Sequence, residues 1–321
     1  MRKSLALLSF VAALSVSFTS SLQAADPAKT VHFGTFSVAT DYAPYLIAKR
    51  MGWIDEALGK IGYKADYLDP FQSLAPINEA LATGNADFIF AAETPLIIGR
   101  ASGIDDHIVW YSCAAKIELL VPASSSAKSI LDLKGKRVAG LSGTSAHFGF
   151  MDNLKKAGLN SSDIAFLPTP PPEAKAAFET GAVDGWAVWP PFIEQEIIAG
   201  KGRPLDGFSS YAQVVMVGRT AFIQANPEAT SRIIETLDRA RNWVKANPEK
   251  AQQMMSDELK LPLVVIKLAW PRLNWSGSLD DKIIADMQAK ADFLKDFGLI
   301  KKPVNVKADF VRLPNITGKN P

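Results

Sequence analysis

Arg137-Val138-Ala139-Gly140-Leu141-Ser142-Gly143-Thr144-Ser145-Ala146-His147 is the stretch on which the fold turns. Residues 137–141 predict a strand, and the small and hydroxyl residues 142–145 end it. They open a helix that runs through Ala157 and stops at Gly158. Toward the C-terminus the rhythm repeats. Strands are expected at 163–168, 185–188 and 203–205, and helices at 172–180 and 190–199. Gly181 and Gly200 stand where those two helices stop.

The same alternation runs toward the N-terminus. Residues 31–37, 64–68, 87–90 and 107–112 predict strands. Residues 41–51 and 73–82 predict helices, closed by Gly52 and by Thr83-Gly84-Asn85. Thr94 is expected as the N-cap of a further helix, with Pro95 at its first position. Strands alternating with helices call for an α/β fold with largely parallel sheets. Residues 212–221 are extended in character. After them the chain reads as helices over 227–247, 248–258, 262–270 and 279–297. The first two start at an Asn-Pro pair, an N-cap joined to a first-turn proline. These helices carry no cluster of reactive side chains and read as packing elements with solvated charged faces.

Composition bounds the function. The chain has 321 residues, 48% hydrophobic and 21% charged, which excludes a disordered polymer and gives room for about two domains. A net charge of +2 gives no argument for a nucleic-acid or membrane-surface partner. Arg2 and Lys3 precede an apolar run over residues 5–18, and Leu22-Gln23-Ala24 is an acceptable cleavage site. Together they have the pattern of a secretory signal peptide, residues 1–24. The run falls short of the ~20 residues that span a bilayer. Cleavage leaves 33 basic and 33 acidic residues, and no cysteine near the new N-terminus to carry a lipid anchor. A freely diffusing periplasmic protein of a two-membrane bacterium is expected. Cys113, the one cysteine, has no disulfide partner and reads as a packed strand residue. His32, His107 and His147 lack metal-ligand spacing, so no metal or other cofactor is expected.

Four motifs in order carry a family resemblance. Asp132-Leu133-Lys134-Gly135-Lys136-Arg137-Val138-Ala139 resembles the entrance to the second lobe of periplasmic solute-binding proteins. Ser142-Gly143-Thr144-Ser145-Ala146-His147 resembles a turn-helix motif of their alkanesulfonate- and taurine-binding branch. Gly181-Ala182-Val183-Asp184-Gly185-Trp186-Ala187-Val188-Trp189-Pro190-Pro191 is similar to that branch's strand ending in an aromatic residue. Glu79-Ala80-Leu81-Ala82-Thr83-Gly84-Asn85-Ala86-Asp87-Phe88 resembles its first-lobe counterpart. The resemblance spans about residues 31–299. It implies a two-lobe, type II-like binding protein of an ABC importer. Lobe 1 would be residues 25–118 plus 214–321 and lobe 2 residues 119–213, with hinge crossings near 117–121 and 213–218. A small anionic ligand would lie between the lobes, an inner-membrane ABC permease would be the partner, and the monomer is the default state.

The expected site follows from the strand ends, where open α/β sheets bind ligands. Ser142, Gly143, Thr144 and Ser145 stand at a helix N-terminus, where free N–H groups and the helix dipole favour an oxyanion; the alternative is an ordinary cap. His147 either lines the pocket or sits on the helix surface. Thr40, Asp41 and Tyr42 follow the first strand, and Asp41 is either a pocket residue or a cap. Thr94 is a second donor. Glu93 would repel a sulfonate unless it faces a cation such as the ammonium of taurine; otherwise it is an exposed residue near a helix start. Trp189 is expected as the apolar wall, Trp186 as a core residue, and Trp270 as a further aromatic reaching the cleft.

Three functions compete at this point. The first is capture of an organosulfonate such as taurine. The second is the same capture of nitrate, a carboxylate or a phosphonate. The third is an enzyme resembling the desulfinases or pyrimidine-precursor synthases of this architecture. The last is disfavoured by Cys113 inside a strand, by the scarcity of histidine and by the export signal.

Overall fold

The computed structural model describes residues 29–36, 39–71 and 73–311, so the expected signal peptide and residues 37 and 38 lie outside it. The first sheet opens with β1 (Lys29–Thr35), α1 (Ala43–Arg50), α2 (Trp53–Gly59), β2 (Tyr63–Tyr67), α3 (Leu74–Thr83), β3 (Phe88–Ala92), α4 (Glu93–Ala101) and the long β4 (Asp106–Pro122). A second series follows: β5 (Arg137–Gly140), α5 (Ser145–Lys156), β6 (Ala165–Pro168), α6 (Pro171–Glu179), β7 (Gly185–Val188), α7 (Phe192–Ile198) and β8 (Gly202–Pro204). The chain returns through β9 (Ser210–Arg219) and α8 (Thr220–Ala225). It ends in α9 (Pro227–Ala246), α10 (Pro248–Leu259), α11 (Leu263–Ala269), β10 (Leu273–Asn274) and α12 (Asp281–Asp296).

The α/β reading holds, and strand pairing shows how the halves join. The first sheet runs β2-β1-β3-β9-β4, with β2, β1 and β3 parallel. The second has β6, β5 and β7 parallel. One strand, β4, serves both. Its residues from Asp106 to Ile117 pair antiparallel with β9, and Glu118 to Leu120 pair with β7. Antiparallel pairs appear where the chain crosses between halves, because a strand that leaves one sheet for another has to come back. β9 is bonded to β3 on one side and β4 on the other over residues 214–218. β9 joins the first sheet from Ser210, which pairs with Ile117 of β4.

Period-2 alternation builds both faces of the first sheet. Phe88 and Phe90 of β3, with Val214 and Met216 of β9, face Phe33, Tyr45 and Ile233. Ile89 and Ala91, with Val215 and Val217, face Ile77, Leu96 and Leu294. Tyr45 stacks on Phe90 with ring centroids 4.1 Å apart. In the second sheet Trp186 is 1% exposed and packs with Phe178, Val188 and Ile193. The C-terminal helices do more than pad the first sheet, since α11 packs against α7 and α12 against α5.

Local differences from the sequence reading have local causes. The expected helix 41–51 is split into a tight turn at Thr40–Tyr42 and then α1. The expected strand 107–112 runs on to Pro122, with two register irregularities that break its alternation. Asn226 and Asn247 precede prolines but do not cap forward. Their side-chain amides donate back to Phe222 O and Trp243 O at 3.0 Å each, closing the preceding helices.

Gly149 lets α5 lie against β9. A Cβ there would stand 2.5 Å from the Cβ of Ser210. Gly149→Ala is expected to destabilise the fold by roughly 1–3 kcal/mol through overpacking, measured by urea unfolding. Adding Ser210→Gly is expected to recover most of the loss.

Candidate functional site

Strand ends from both sheets meet in one narrow cavity of about 30 Å³. That is far below the ~300–1,000 Å³ usual for small-molecule sites. The end of β1 and the following turn contribute Phe36, Ala39, Asp41 and Tyr42. The β3–α4 junction contributes Ala92 and Pro95. Ile117 of β4 and Ala212 of β9 add apolar surface. Thr144, Ser145 and Ala146 come from the start of α5, and half-buried Trp189 stands just past β7. These are carboxyl ends of β1, β3 and β7 and the loop after β5, where open α/β sheets receive ligands.

The start of α5 supplies the donors. Thr144 is the N-cap, and its hydroxyl accepts from His147 N at 3.3 Å and donates to Leu141 O at 2.7 Å. That hydroxyl is therefore committed to the helix. The Gly143 amide is also taken, by the Nδ1 of His147 at 3.4 Å. The amides of Ser145 and Ala146, in the first turn, have no hydrogen-bond partner among the described residues. The anion-binding potential of the turn thus resides in two backbone N–H groups on the cavity wall, and Ser142 and Gly143 do not line it.

Glu93 departs most from expectation. It is fully buried, at the first position of α4, while Ala92 is the cap and Thr94 sits one residue further in. The cation it faces belongs to the chain: Lys290 of α12, also fully buried, approaches Glu93 Oε1 at 2.5 Å. Lys290 also bonds Asp286 and the Tyr211 carbonyl, both at 2.7 Å, so all three of its protons are used. Glu93 Oε2 accepts from Gln213 N at 2.7 Å. The Ser145 hydroxyl donates to Glu93 Oε1 at 3.2 Å, which leaves Thr94 as donor in the 2.7 Å bond between Thr94 Oγ1 and Ser145 Oγ. This chain of hydrogen bonds crosses from one half to the other beside the cavity. Burial pushes the Glu93 carboxyl up and the Lys290 ammonium pulls it back, while Glu93 and Asp286 hold Lys290 above the ordinary lysine range.

The remaining candidates divide. Tyr42 lines the cavity and donates its hydroxyl to Phe36 O at 2.7 Å. Asp41 lines it too; burial pushes its carboxyl up to about 7, and its Oδ1 has no partner. Thr40 is buried with its hydroxyl equally unpartnered. His147 is neither a pocket wall nor a surface residue. Its ring stacks on Phe166 at 4.5 Å and meets Phe293 at 5.5 Å. Trp270 turns from the cavity to Trp275, at 5.5 Å between centroids. Lys290 carried no signal in the sequence, because a lysine on an amphipathic helix reads as solvated. Among the described residues no three His, Cys, Asp or Glu side chains are grouped to hold a metal.

Two predictions follow from these charges. Lys290→Met strands a buried carboxylate and is expected to cost roughly 3–5 kcal/mol in chemical unfolding. Burial pushes the His147 imidazole down to about 4 from its usual 6.5. The native state therefore binds fewer protons than the unfolded one in that window. The stability this gives is complete above about pH 6.5 and is lost as pH falls toward about 4. His147→Phe is expected to flatten this acid limb in melting curves recorded across the range.

Comparison with known proteins agrees with this architecture. The NMT1-like family model matches residues 24–256. A Bacillus subtilis (strain 168) protein named as an aliphatic sulfonates-binding protein is 30% identical over 271 residues, covering 83% of this chain and 81% of its own. The periplasmic aliphatic sulphonate binding protein SsuA of Escherichia coli has a TM-score of 0.77 at 22% identity, over 88% of this chain and 97% of that one. The alkanesulfonate-binding protein SsuA of Xanthomonas axonopodis pv. citri, bound to MOPS, has a TM-score of 0.76 at 25% identity, over 90% and 100%. The matched family span contains every residue of the cavity wall, and the chain belongs to the NMT1-like family.

Proposed function

We propose that this protein is the periplasmic substrate-binding component of an ABC importer and captures a small organosulfonate between two lobes. The observation that carries the reading is the pair of amides at the start of α5, without hydrogen-bond partners among the described residues, in a mostly apolar cavity wall at the junction of two sheets. A sulfonate offers three acceptor oxygens and one charge to those donors, and a short hydrocarbon tail to Trp189, Phe36 and Ile117. The names of the B. subtilis relative and of the two SsuA structures support the same ligand class.

The lobes correspond to the two sheets. The first takes residues up to about 118 and from about 210 on, and the second takes the residues between. Opening about the two crossings between the sheets would admit ligand, since the cavity as it stands is too small to let it pass. Residues 1–24 would direct export and be removed near Ala24. The mature protein would act as a monomer and hand its ligand to a permease in the inner membrane. No bond is made or broken in this role. Cys113 supports that part of the reading: it is fully buried, burial pushes its thiol well up, and it does not line the cavity.

A thermal-shift screen of the exported protein tests the assignment. Alkanesulfonates and taurine are expected to raise the melting temperature by mass action, and nitrate, phosphonate and small carboxylates are not. Trp189→Ala is expected to weaken sulfonate binding at least ~10-fold, about 1.4 kcal/mol. A shift with nitrate or carboxylates alone would discard the sulfonate assignment.

A further inference from the structure

The turn before α5 is closed by hydrogen bonds that converge on one residue, His147. The Thr144 hydroxyl donates to Leu141 O at 2.7 Å, the His147 amide donates to Thr144 Oγ1 at 3.3 Å, and the Gly143 amide donates to His147 Nδ1 at 3.4 Å. Gly143 is in the left-handed conformation, with φ 73°, so the chain reverses there and the imidazole clamps the reversal. The Ser145 and Ala146 amides lie between these ties and have no partner among the described residues. Their direction is therefore set by the bonds made on either side of them.

The bond from Gly143 needs a neutral ring, because an imidazolium carries a hydrogen on Nδ1 and cannot accept. The surroundings favour the neutral form. The ring lies in the first turn of α5, where the helix dipole opposes a cation. It stacks on Phe166 of β6 at 4.5 Å and meets Phe293 of α12 and Phe297 just beyond it at 5.5 and 6.1 Å. The charged groups of the packing elements turn elsewhere. On α12, Lys290 and Asp286 engage each other and Glu93, and Asp292, Lys295 and Asp296 are exposed. On α5, Asp152 pairs with Lys156, and Lys155 is exposed. Lys116 and Glu118 of β4 pair with each other, Arg219 of β9 pairs with Asp87, and Asp132 accepts from the amides of Lys128 and Ser129. β6 and β7 carry no charged side chain, and Tyr211 of β9 is exposed. Burial is the one cause that holds the imidazole down at about 4.

We propose that His147 is a positioning residue for the anion: the neutral imidazole holds the turn that aims the Ser145 and Ala146 amides, and the imidazolium releases it, so that acid weakens ligand binding. This rests on the sulfonate reading above and adds a proton response to it. The ring acts through the turn, since it is not on the cavity wall. The aromatic seam decides where the proton enters. α12 packs on α4 of the first sheet and reaches α5 of the second. Parting the halves draws two of the three rings off the imidazole and lets water reach it. Its titration then moves back toward the usual 6.5, while the ligand-bound form keeps it near about 4. Ligand and proton therefore oppose one another. Affinity is complete above about pH 6.5 and is lost as pH falls below it.

Titration calorimetry of the exported protein with ethanesulfonate, whose charge is constant over the range, tests this at about pH 7 and about pH 5. The wild type is compared with His147→Asn, whose Oδ1 stands near the position of Nδ1 and accepts at either pH. Asp41 works in the opposite direction: burial pushes its carboxyl up to about 7, and losing that charge favours an anion. Comparing the two proteins at each pH cancels its effect. Their affinities are expected to agree within about threefold near pH 7, and the wild type is expected to be at least ~5-fold the weaker near pH 5. A ratio that does not change with pH overturns the proposal, and so does a folded His147→Asn that binds more than about threefold weaker near pH 7. Failure of the wild type to bind ethanesulfonate near neutral pH removes the sulfonate reading itself and the proposal with it. Should His147→Asn fail to fold, a histidine NMR titration of the wild type decides. One imidazole is expected to titrate at lower pH with ethanesulfonate than without it, and midpoints that all stay in place overturn the proposal.

Discussion

A charge that water cannot reach has to be answered by another, and the Lys290–Glu93 pair is where this molecule meets that demand. Both side chains are fully buried. Through them, α12 from the end of the chain is fixed to α4, and through Gln213 and Ser145 the same carboxylate holds β9 and the first turn of α5. The cavity lies beside these elements, so its shape depends on a pair that never touches it. Replacing such a pair by apolar residues is often tolerated, whereas removing one partner is not. The arrangement is better understood as a device for position than as a source of stability.

Arg272 plays a similar part at the junction of the sheets. Its guanidinium bonds Glu118, where β4 leaves the first sheet, and Glu194 of α7 at 2.6 Å in the second. The C-terminal third of the chain thus braces both halves, with α11 on α7 and α12 on α5. Any separation of the halves has to break the Thr94–Ser145 and Ser145–Glu93 hydrogen bonds, and it has to part these helix contacts. The Thr94–Ser145 bond joins two neutral groups and is of modest net worth, whereas the Ser145–Glu93 bond ends on an ion-paired carboxylate and belongs to the stronger class.

The rhythm of strands and helices was legible because its signals are local. Residues 185–188 are a strand in both readings, and α5 begins at Ser145 after the small-residue turn, as its spacing suggested. α2 escaped notice because Gly52, read as a stop, is in the left-handed conformation and serves as the cap of the next helix. β4 was seen only in part because its register shifts hide the alternation. At the site, Asp41, Tyr42, Thr144, Ser145 and Trp189 were legible from their place at strand ends, and the structure brings them together around one cavity. Lys290 was not legible. Its partner lies in α4, and a contact between residues so far apart in sequence leaves no periodicity to read. His147 was misjudged for a related reason, since nothing near it in the sequence announces Phe166 or Phe293.

The path of the chain also bears on the order in which the molecule can assemble. The second sheet is one continuous stretch between β4 and β8, so all its strands are available once that stretch has been made. The first sheet is interrupted. β3 has one neighbour in β1, and the strand that covers its other edge, β9, arrives about 130 residues later in the chain. Until then a strand carrying Phe88, Ile89 and Phe90 presents an open row of backbone groups, the kind of edge on which chains aggregate. The long excursion that creates the cleft leaves the first sheet dependent on late-made sequence, and slow, non-local closure is the kinetic consequence.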